Sequence, residues 1–108
     1  MNRLVARWFG FLLIATGVLG FLMPSITSGA PAYNVFHILS GLLAVRASRA
    51  SRGWVFNSIF GAIDVYQAAA QWWGWWPGGL FLWTRADLWL HLALGPLLLL
   101  IGLAAARS

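Results

Sequence analysis

Four apolar segments follow one another along the chain, and short polar stretches separate them. They cover about residues 4–23, 31–48, 53–73 and 85–106. Each is close to the roughly 17–25 residues that an α-helix needs to cross the hydrocarbon core of a bilayer. The alternating ten-residue segments of a membrane β-barrel are absent from the sequence. The pattern therefore predicts an all-α fold, a four-transmembrane-helix bundle that forms a single integral membrane domain over residues 1–108.

The composition agrees with a chain surrounded by lipid. Hydrophobic residues make up 61% of the sequence and charged residues 8%, whereas soluble domains carry roughly 25% charged residues. The net charge of +5 comes entirely from arginines at the segment ends, so membrane topology explains it better than nucleic-acid binding does. Because the chain has no cysteine, disulfides, thiolate metal sites and cysteine nucleophiles are excluded.

The distribution of arginine predicts the orientation. Six of the seven arginines lie before the first segment, between the second and third, or after the fourth: Arg3, Arg7, Arg46, Arg49, Arg52 and Arg107. Only Arg85 lies on the opposite side. Positive residues accumulate in cytoplasmic loops, so we expect both termini to face the cytoplasm. The tryptophans at 72, 73, 75, 76, 83 and 89 then form an aromatic belt on the far side.

The first segment has a second interpretation. Residues 1–32 resemble a secretory signal, with arginines, an apolar stretch and small residues at 30–32. Because the apolar stretch is longer than a typical signal core, we expect the segment to be retained as a span.

The second and fourth segments share a motif. Residues 37–41 (His-Ile-Leu-Ser-Gly) match residues 91–95 (His-Leu-Ala-Leu-Gly), and residues 17–20 compare with residues 61–64 in the first and third segments. The chain thus reads as two helical hairpins of the same orientation, a parallel repeat.

The repeat coincides with a family resemblance. The pattern N-x-x-H-x-x-x-G from Asn34 and the pattern D-x-x-x-H-x-x-x-G from Asp87 resemble an uncharacterised bacterial family of small four-span membrane proteins, catalogued only as a domain of unknown function. The resemblance covers roughly residues 34–103. It implies four helices in a bacterial inner membrane and carries no established activity.

Five polar residues lie within or at the ends of the apolar segments: Asn34, His37, Asp64, Asp87 and His91. By helix depth, they are expected to meet in the outer half of the bundle. An ionised carboxylate near the bilayer centre costs about 2.5–3.5 kcal/mol even on insertion scales and marks a functional-site candidate. We therefore expect Asp64 to be protonated or to be paired with His37, His91 or a bound cation.

Structural explanations compete with functional ones for these residues. The sequence Thr84-Arg85-Ala86-Asp87 fits a helix N-cap followed by an acid that favours the positive end of the helix. Interhelical hydrogen bonds, typically worth about 0.6 kcal/mol, explain the histidines. Gly41 and Gly95, one turn after each histidine, then permit close helix approach.

The functional explanation is a cofactor or metal site. His37 and His91 could supply both axial ligands of a haem, or one of them could ligate the magnesium of a chlorin. With Asp64 they could hold zinc, which accepts nitrogen and oxygen ligands. No haem attachment motif C-x-x-C-H is present.

No enzyme motif is found, neither a nucleophile elbow nor a phosphate-binding loop nor H-E-x-x-H. We therefore expect a protein that is not an enzyme and whose partners are the lipid bilayer and other membrane subunits.

The first functional hypothesis is a structural or accessory subunit of a larger respiratory or photosynthetic membrane complex, with a homo-oligomer nearly as well supported. The alternative is a haem-, chlorin- or metal-binding membrane protein that uses His37 and His91.

Overall fold

The computed structural model describes residues 1–25 and 28–108, and these residues form five α-helices and no strand. The helices are α1 (Asn2–Leu22), α2 (Pro31–Arg49), α3 (Gly53–Trp73), α4 (Gly78–Phe81) and α5 (Arg85–Ala104). The predicted all-α class is confirmed, and the four long helices begin and end within two residues of the predicted segments. The one-turn helix α4 was not predicted.

Two of the described helices, α1 and α5, are long and apolar enough to cross a membrane by length and composition. Helices α2 and α3 have similar lengths but do not pass the same test. Both carry several buried polar side chains, among them Asn34 and His37 in α2 and Asn57 and Asp64 in α3. These inward-facing residues lower the average hydropathy of the two helices.

The long helices are arranged as two hairpins. Helix α1 packs along α2, and α3 packs along α5, whereas contacts between the two hairpins are fewer. Glycine brings the backbones together in each hairpin. A Cβ added to Gly10 would lie 2.8 Å from the carbonyl oxygen of Gly41, and one added to Gly61 would lie 2.9 Å from that of Gly95. Gly41 and Gly95 thus lie at points of close helix approach, as the sequence predicted.

The structure also changes the register of the internal repeat. Gly10 faces Gly41 in the first hairpin as Gly61 faces Gly95 in the second. The structural counterpart of Gly61 is therefore Gly10, whereas the sequence comparison had placed Gly17 beside Gly61. The contacts between helices show which positions of the two hairpins are equivalent, and a short sequence match does not contain this information.

The usual distribution of polar and apolar side chains is reversed in this molecule. In the described part of the chain, three large apolar side chains, Leu13, Phe60 and Leu98, form a buried cluster supported by partly buried neighbours. Most other buried positions are glycine, alanine or polar residues, while large apolar side chains on all four long helices are exposed. This distribution is expected of helices that are surrounded by lipid rather than water.

One end of the bundle gathers both termini and the connection between α2 and α3. The Asn57 side chain donates to the backbone oxygen of Asn2 at 3.1 Å and to its Oδ1 at 3.0 Å. Asn2 Nδ2 in turn donates to the carbonyl oxygen of Ala106 at 3.0 Å. We call Asn2, Asn57 and Ala106 the Asn2 clamp, because their hydrogen bonds join the two hairpins at this end.

The same end holds six of the seven arginines, and Arg85 starts α5 at the other. The Arg107 guanidinium lies 4.2 Å from the centre of the Trp54 ring, a cation–π contact that ties the C-terminus to the start of α3. The predicted segregation of arginine is therefore present in the fold.

Candidate functional site between the two hairpins

A cavity of about 140 Å³ lies between the hairpins and is lined by side chains from all four long helices. Four of the five polar residues singled out in the sequence line it: His37, Asp64, Asp87 and His91. Each is at most 6% exposed. The structure thus brings together ionisable groups from α2, α3 and α5 in one enclosed place.

Tyr33 joins this group, although the sequence analysis did not select it. Its hydroxyl lies 2.9 Å from His91 Nε2 and donates to Asp87 Oδ1 at 3.3 Å. Its ring packs 4.2 Å from that of His37, centre to centre. We call Tyr33, Asp87 and His91 the Tyr33 clamp, since the two hydrogen bonds join α2 of one hairpin to α5 of the other.

The Tyr33 clamp selects one form of the imidazole. A hydroxyl has a single proton, so when Tyr33 donates to Asp87, His91 must donate its Nε2 proton to the hydroxyl oxygen. The assigned tautomer of His91 is therefore Nε2–H. Its Nδ1 is then an acceptor, and this atom has no hydrogen-bond partner among the described residues.

Asp87 serves two purposes at once. Its Oδ2 accepts from the backbone N–H of Thr84 at 2.8 Å and from the Thr84 hydroxyl at 2.9 Å, while its own N–H donates to Thr84 Oγ1 at 3.3 Å. These contacts form a capping box at the start of α5, so the predicted N-cap is confirmed. The other carboxylate oxygen is left for Tyr33.

Asp64 has a different partner from those expected. Its Oδ1 accepts from Gln67 Nε2 at 3.2 Å, and Gln67 Oε1 accepts from Trp83 Nε1 at 3.1 Å. Among the described residues no hydrogen bond joins Asp64 to His37 or His91. Gln67 lies about one helical turn after Asp64 on α3, and residues three apart on a helix are neighbours. The carboxylate therefore finds its partner within its own helix. Asp64 remains enclosed, at 3% exposure.

Trp83 was predicted to anchor the chain at the membrane interface. Its indole N–H instead donates inward to Gln67, and its ring stands edge-on to His91 with the centres 6.2 Å apart. The connection between α4 and α5 thus closes one side of the site.

Asn34 lies apart from the cavity that the other four residues line. It is fully buried against α1, where a Cβ on Gly20 would collide with its carboxamide. Within the described part of the chain, neither atom of this carboxamide has a hydrogen-bond partner. The sequence did contain a signal that favours Tyr33 over Asn34. Tyr33 precedes His37 by four residues and Asn34 precedes it by three, and residues four apart lie closer to one helix face than residues three apart.

The dimensions of the site limit what it can bind. Sites for drug-sized ligands and cofactors usually enclose about 300–1,000 Å³, and this cavity of about 140 Å³ is too small for a haem or chlorin ring. No group of three or more His, Cys, Asp or Glu side chains in residues 1–25 and 28–108 is placed to hold a metal ion. The zinc site expected from His37, Asp64 and His91 is therefore not formed by these side chains.

Comparison of the chain with family models, with curated proteins and with solved structures finds no match. The resemblance to a family of small bacterial membrane proteins stays a prediction.

Proposed function

We propose that this chain is a four-span protein of the bacterial inner membrane with both termini in the cytoplasm, and that it is a structural or accessory subunit of a larger membrane complex, as in respiratory or photosynthetic assemblies. The observation that carries this proposal is the reversed distribution of side chains. Polar groups bind one another inside the bundle, and apolar groups face outward.

Support for α2 and α3 as spans comes from their outer faces. The exposed large side chains of α2 are Val35, Leu39, Leu42 and Leu43, and those of α3 are Ile59, Ile63, Val65 and Tyr66 within its central turns. At about 1.5 Å per residue, their 19 and 21 residues reach about 28 and 32 Å. The hydrocarbon core is about 30 Å thick, and spans of about 17–25 residues cross it, so the lengths of both helices lie within the range of membrane spans.

Support for the orientation comes from the two ends of the bundle. The end with both termini carries six arginines, while tryptophans cluster around α4 at the other end. Arginine-rich loops remain in the cytoplasm, and tryptophan favours the membrane interface.

Support for an accessory role comes from the site itself. Tyr33, Asp87 and His91 are hydrogen-bonded to one another, and Asp64 is bonded to Gln67. The bonds of Tyr33 hold the hairpins together, and the bond between Gln67 and Asp64 satisfies a buried carboxyl group within α3; both are structural tasks. Since the connections between helices are short, the surface available for recognition is the apolar one, which suits contact with other membrane-embedded subunits.

Cysteine labelling tests the topology directly, because the natural chain has no cysteine. Ser51→Cys lies between α2 and α3, and Gly79→Cys lies in α4. With four spans, a membrane-impermeant maleimide added to spheroplasts labels Gly79→Cys, and Ser51→Cys reacts only in inverted vesicles. With α1 and α5 as the only spans, both positions would lie on one side, and equal labelling of the two from outside would contradict the proposal.

Blue native electrophoresis of mildly solubilised native membranes tests the accessory role. We expect the chain to migrate with stoichiometric companions of other sequence. A band that contains only copies of this chain would instead indicate a homo-oligomer and would contradict the accessory role.

A second candidate function is ligand binding at His37 and His91. Both rings line the cavity, and each has an Nδ1 atom with no hydrogen-bond partner in the described part of the chain. The cavity of about 140 Å³ favours a small ligand over a haem or chlorin, and a metal ion there would be held by fewer than three His or Asp side chains of the described residues. Metal analysis and an absorption spectrum of purified protein test this candidate. A bound metal that His37→Ala or His91→Ala removes would support it, and a colourless, metal-free sample would count against it.

A further inference from the structure

A groove of about 510 Å³ runs between α2 and α3 on the outside of the bundle. It exists because these two helices, although consecutive in the chain, make few contacts with each other. Its walls are apolar and include Phe36 and Leu43 from α2 and Phe56 and Ile59 from α3. On a helix bundle in lipid, such a groove admits chains from the surrounding bilayer.

Positive charge is present at one end of this groove only. Arg46 and Arg52 line it near the connection between α2 and α3, and both are exposed. The chain has two acidic side chains, Asp64 and Asp87, and both lie among the cavity residues rather than at this end. The two guanidinium groups are therefore available to a negatively charged group at the mouth of the groove.

The length of the groove corresponds to one leaflet of the bilayer. Ten residues separate Phe36 from Arg46 on one wall, and eleven separate Arg52 from Ile63 on the other, which is about 15–17 Å at 1.5 Å per residue. Half of the roughly 30 Å hydrocarbon core is about 15 Å. The groove therefore matches the length of one acyl chain, and its basic end matches a phospholipid headgroup.

We propose that the α2–α3 groove is a binding site for an anionic phospholipid of the cytoplasmic leaflet, with an acyl chain along the groove and the headgroup phosphate at Arg46 and Arg52. Basic pockets between transmembrane helices on the cytoplasmic side bind such headgroups. The proposal rests on the membrane orientation given above. Cysteine labelling tests that orientation separately, so the two ideas can fail independently.

Native mass spectrometry of the full chain in dodecyl maltoside provides the test. Palmitoyl-oleoyl-phosphatidylglycerol and phosphatidylcholine with the same acyl chains serve as probes. We expect phosphatidylglycerol adducts at a concentration at least tenfold lower than phosphatidylcholine adducts. A basic residue beside an anionic lipid contributes about fivefold in affinity, so Arg46→Gln and Arg52→Gln should each weaken the adduct by about that factor.

Matched control variants distinguish binding in the groove from binding to surface charge in general and from misfolding. Arg49→Gln removes the same charge from the same turn of α2, but Arg49 does not line the groove, so the adduct should persist. Ala47→Trp fills the groove without changing charge and should abolish the adduct, whereas Leu100→Trp, on the exposed face of α5, should not. Far-UV circular dichroism checks that each variant retains its helices.

Three results of the lipid-binding experiment and one of oligomeric state would overturn the proposal. The first three are equal affinity for the two lipids, equal losses from Arg46→Gln and Arg49→Gln, or an adduct that survives Ala47→Trp in a folded protein. A wild-type dimer that Ala47→Trp converts to a monomer would also overturn it, because the groove would then be an interface between copies of the chain.

Discussion

The Tyr33 clamp gives the sharpest prediction for stability. Tyr33→Phe removes one hydroxyl and leaves the ring in place. Two contacts between hairpins are lost, the one at 2.9 Å to His91 and the one at 3.3 Å to Asp87. Hydrogen bonds between membrane helices average about 0.6 kcal/mol and reach about 1.7 kcal/mol. Since Asp87 and His91 are only 2% and 5% exposed and lose a partner away from bulk water, we expect the free energy of unfolding to fall by about 1–2 kcal/mol.

The chain contains its own control, because it has one other tyrosine. The Tyr66 hydroxyl donates to the Trp76 carbonyl oxygen at 2.7 Å, within one hairpin, and the residue is 44% exposed. Tyr66→Phe makes the same chemical change, yet it leaves the carbonyl able to bond to water. We expect it to cost less than about 0.6 kcal/mol.

Reversible unfolding of both variants in mixed dodecyl maltoside and SDS micelles, followed by tryptophan fluorescence and circular dichroism, measures the difference. A separation of about 1 kcal/mol corresponds to about fivefold in the unfolding equilibrium constant. If Tyr33→Phe is no more destabilising than Tyr66→Phe, the hairpins are not held together by this clamp, and our account of the site is wrong.

Three further predictions use the same unfolding measurement. Gly61→Ala should lower the free energy of unfolding by about 1–3 kcal/mol, because the added Cβ would overlap the α5 backbone. Gly79→Ala is the control, since a Cβ there has nothing within 4 Å and should change this free energy little. Equal effects of the two substitutions would argue against glycine-mediated packing. Thr84→Ala removes the helix cap of α5 and should cost about 1 kcal/mol, and an unchanged free energy would show that the capping box is not needed. Asn57→Ala breaks the Asn2 clamp and should cost about 1 kcal/mol; a neutral result would mean that the termini are held by other contacts.

The sequence was sufficient to predict the four long helices and the level along them at which the site lies. Apolar length fixes where membrane helices begin and end, and residues of similar depth on neighbouring helices are brought to one level. This reasoning placed His37, Asp64, Asp87 and His91 near one another, and all four line the cavity. It also identified the cap at Thr84, because that motif is local.

The choice of partners could not be predicted in the same way. Depth along a helix does not determine which way a side chain points, so Asn34 was included although it faces Gly20 of α1. Tyr33 was not selected, because its position at the start of α2 does not show that its hydroxyl reaches α5. Gln67 reaches Asp64 from the same helix, and only the rotamers of the folded protein show that this bond forms instead of one to an imidazole.

The two kinds of interface in this bundle tolerate mutation differently. Within each hairpin, backbone meets backbone at Gly10 and Gly61, so any larger side chain there must displace the facing helix. Between the hairpins, partly buried side chains such as Thr16 and Leu94 line the cavity, and exchanging them for larger or smaller ones does not produce the backbone collision that a Cβ at Gly10 or Gly61 would. Variation in natural or selected sequences can therefore resize the cavity while both hairpins stay as they are, which makes this seam the place where new specificity can evolve.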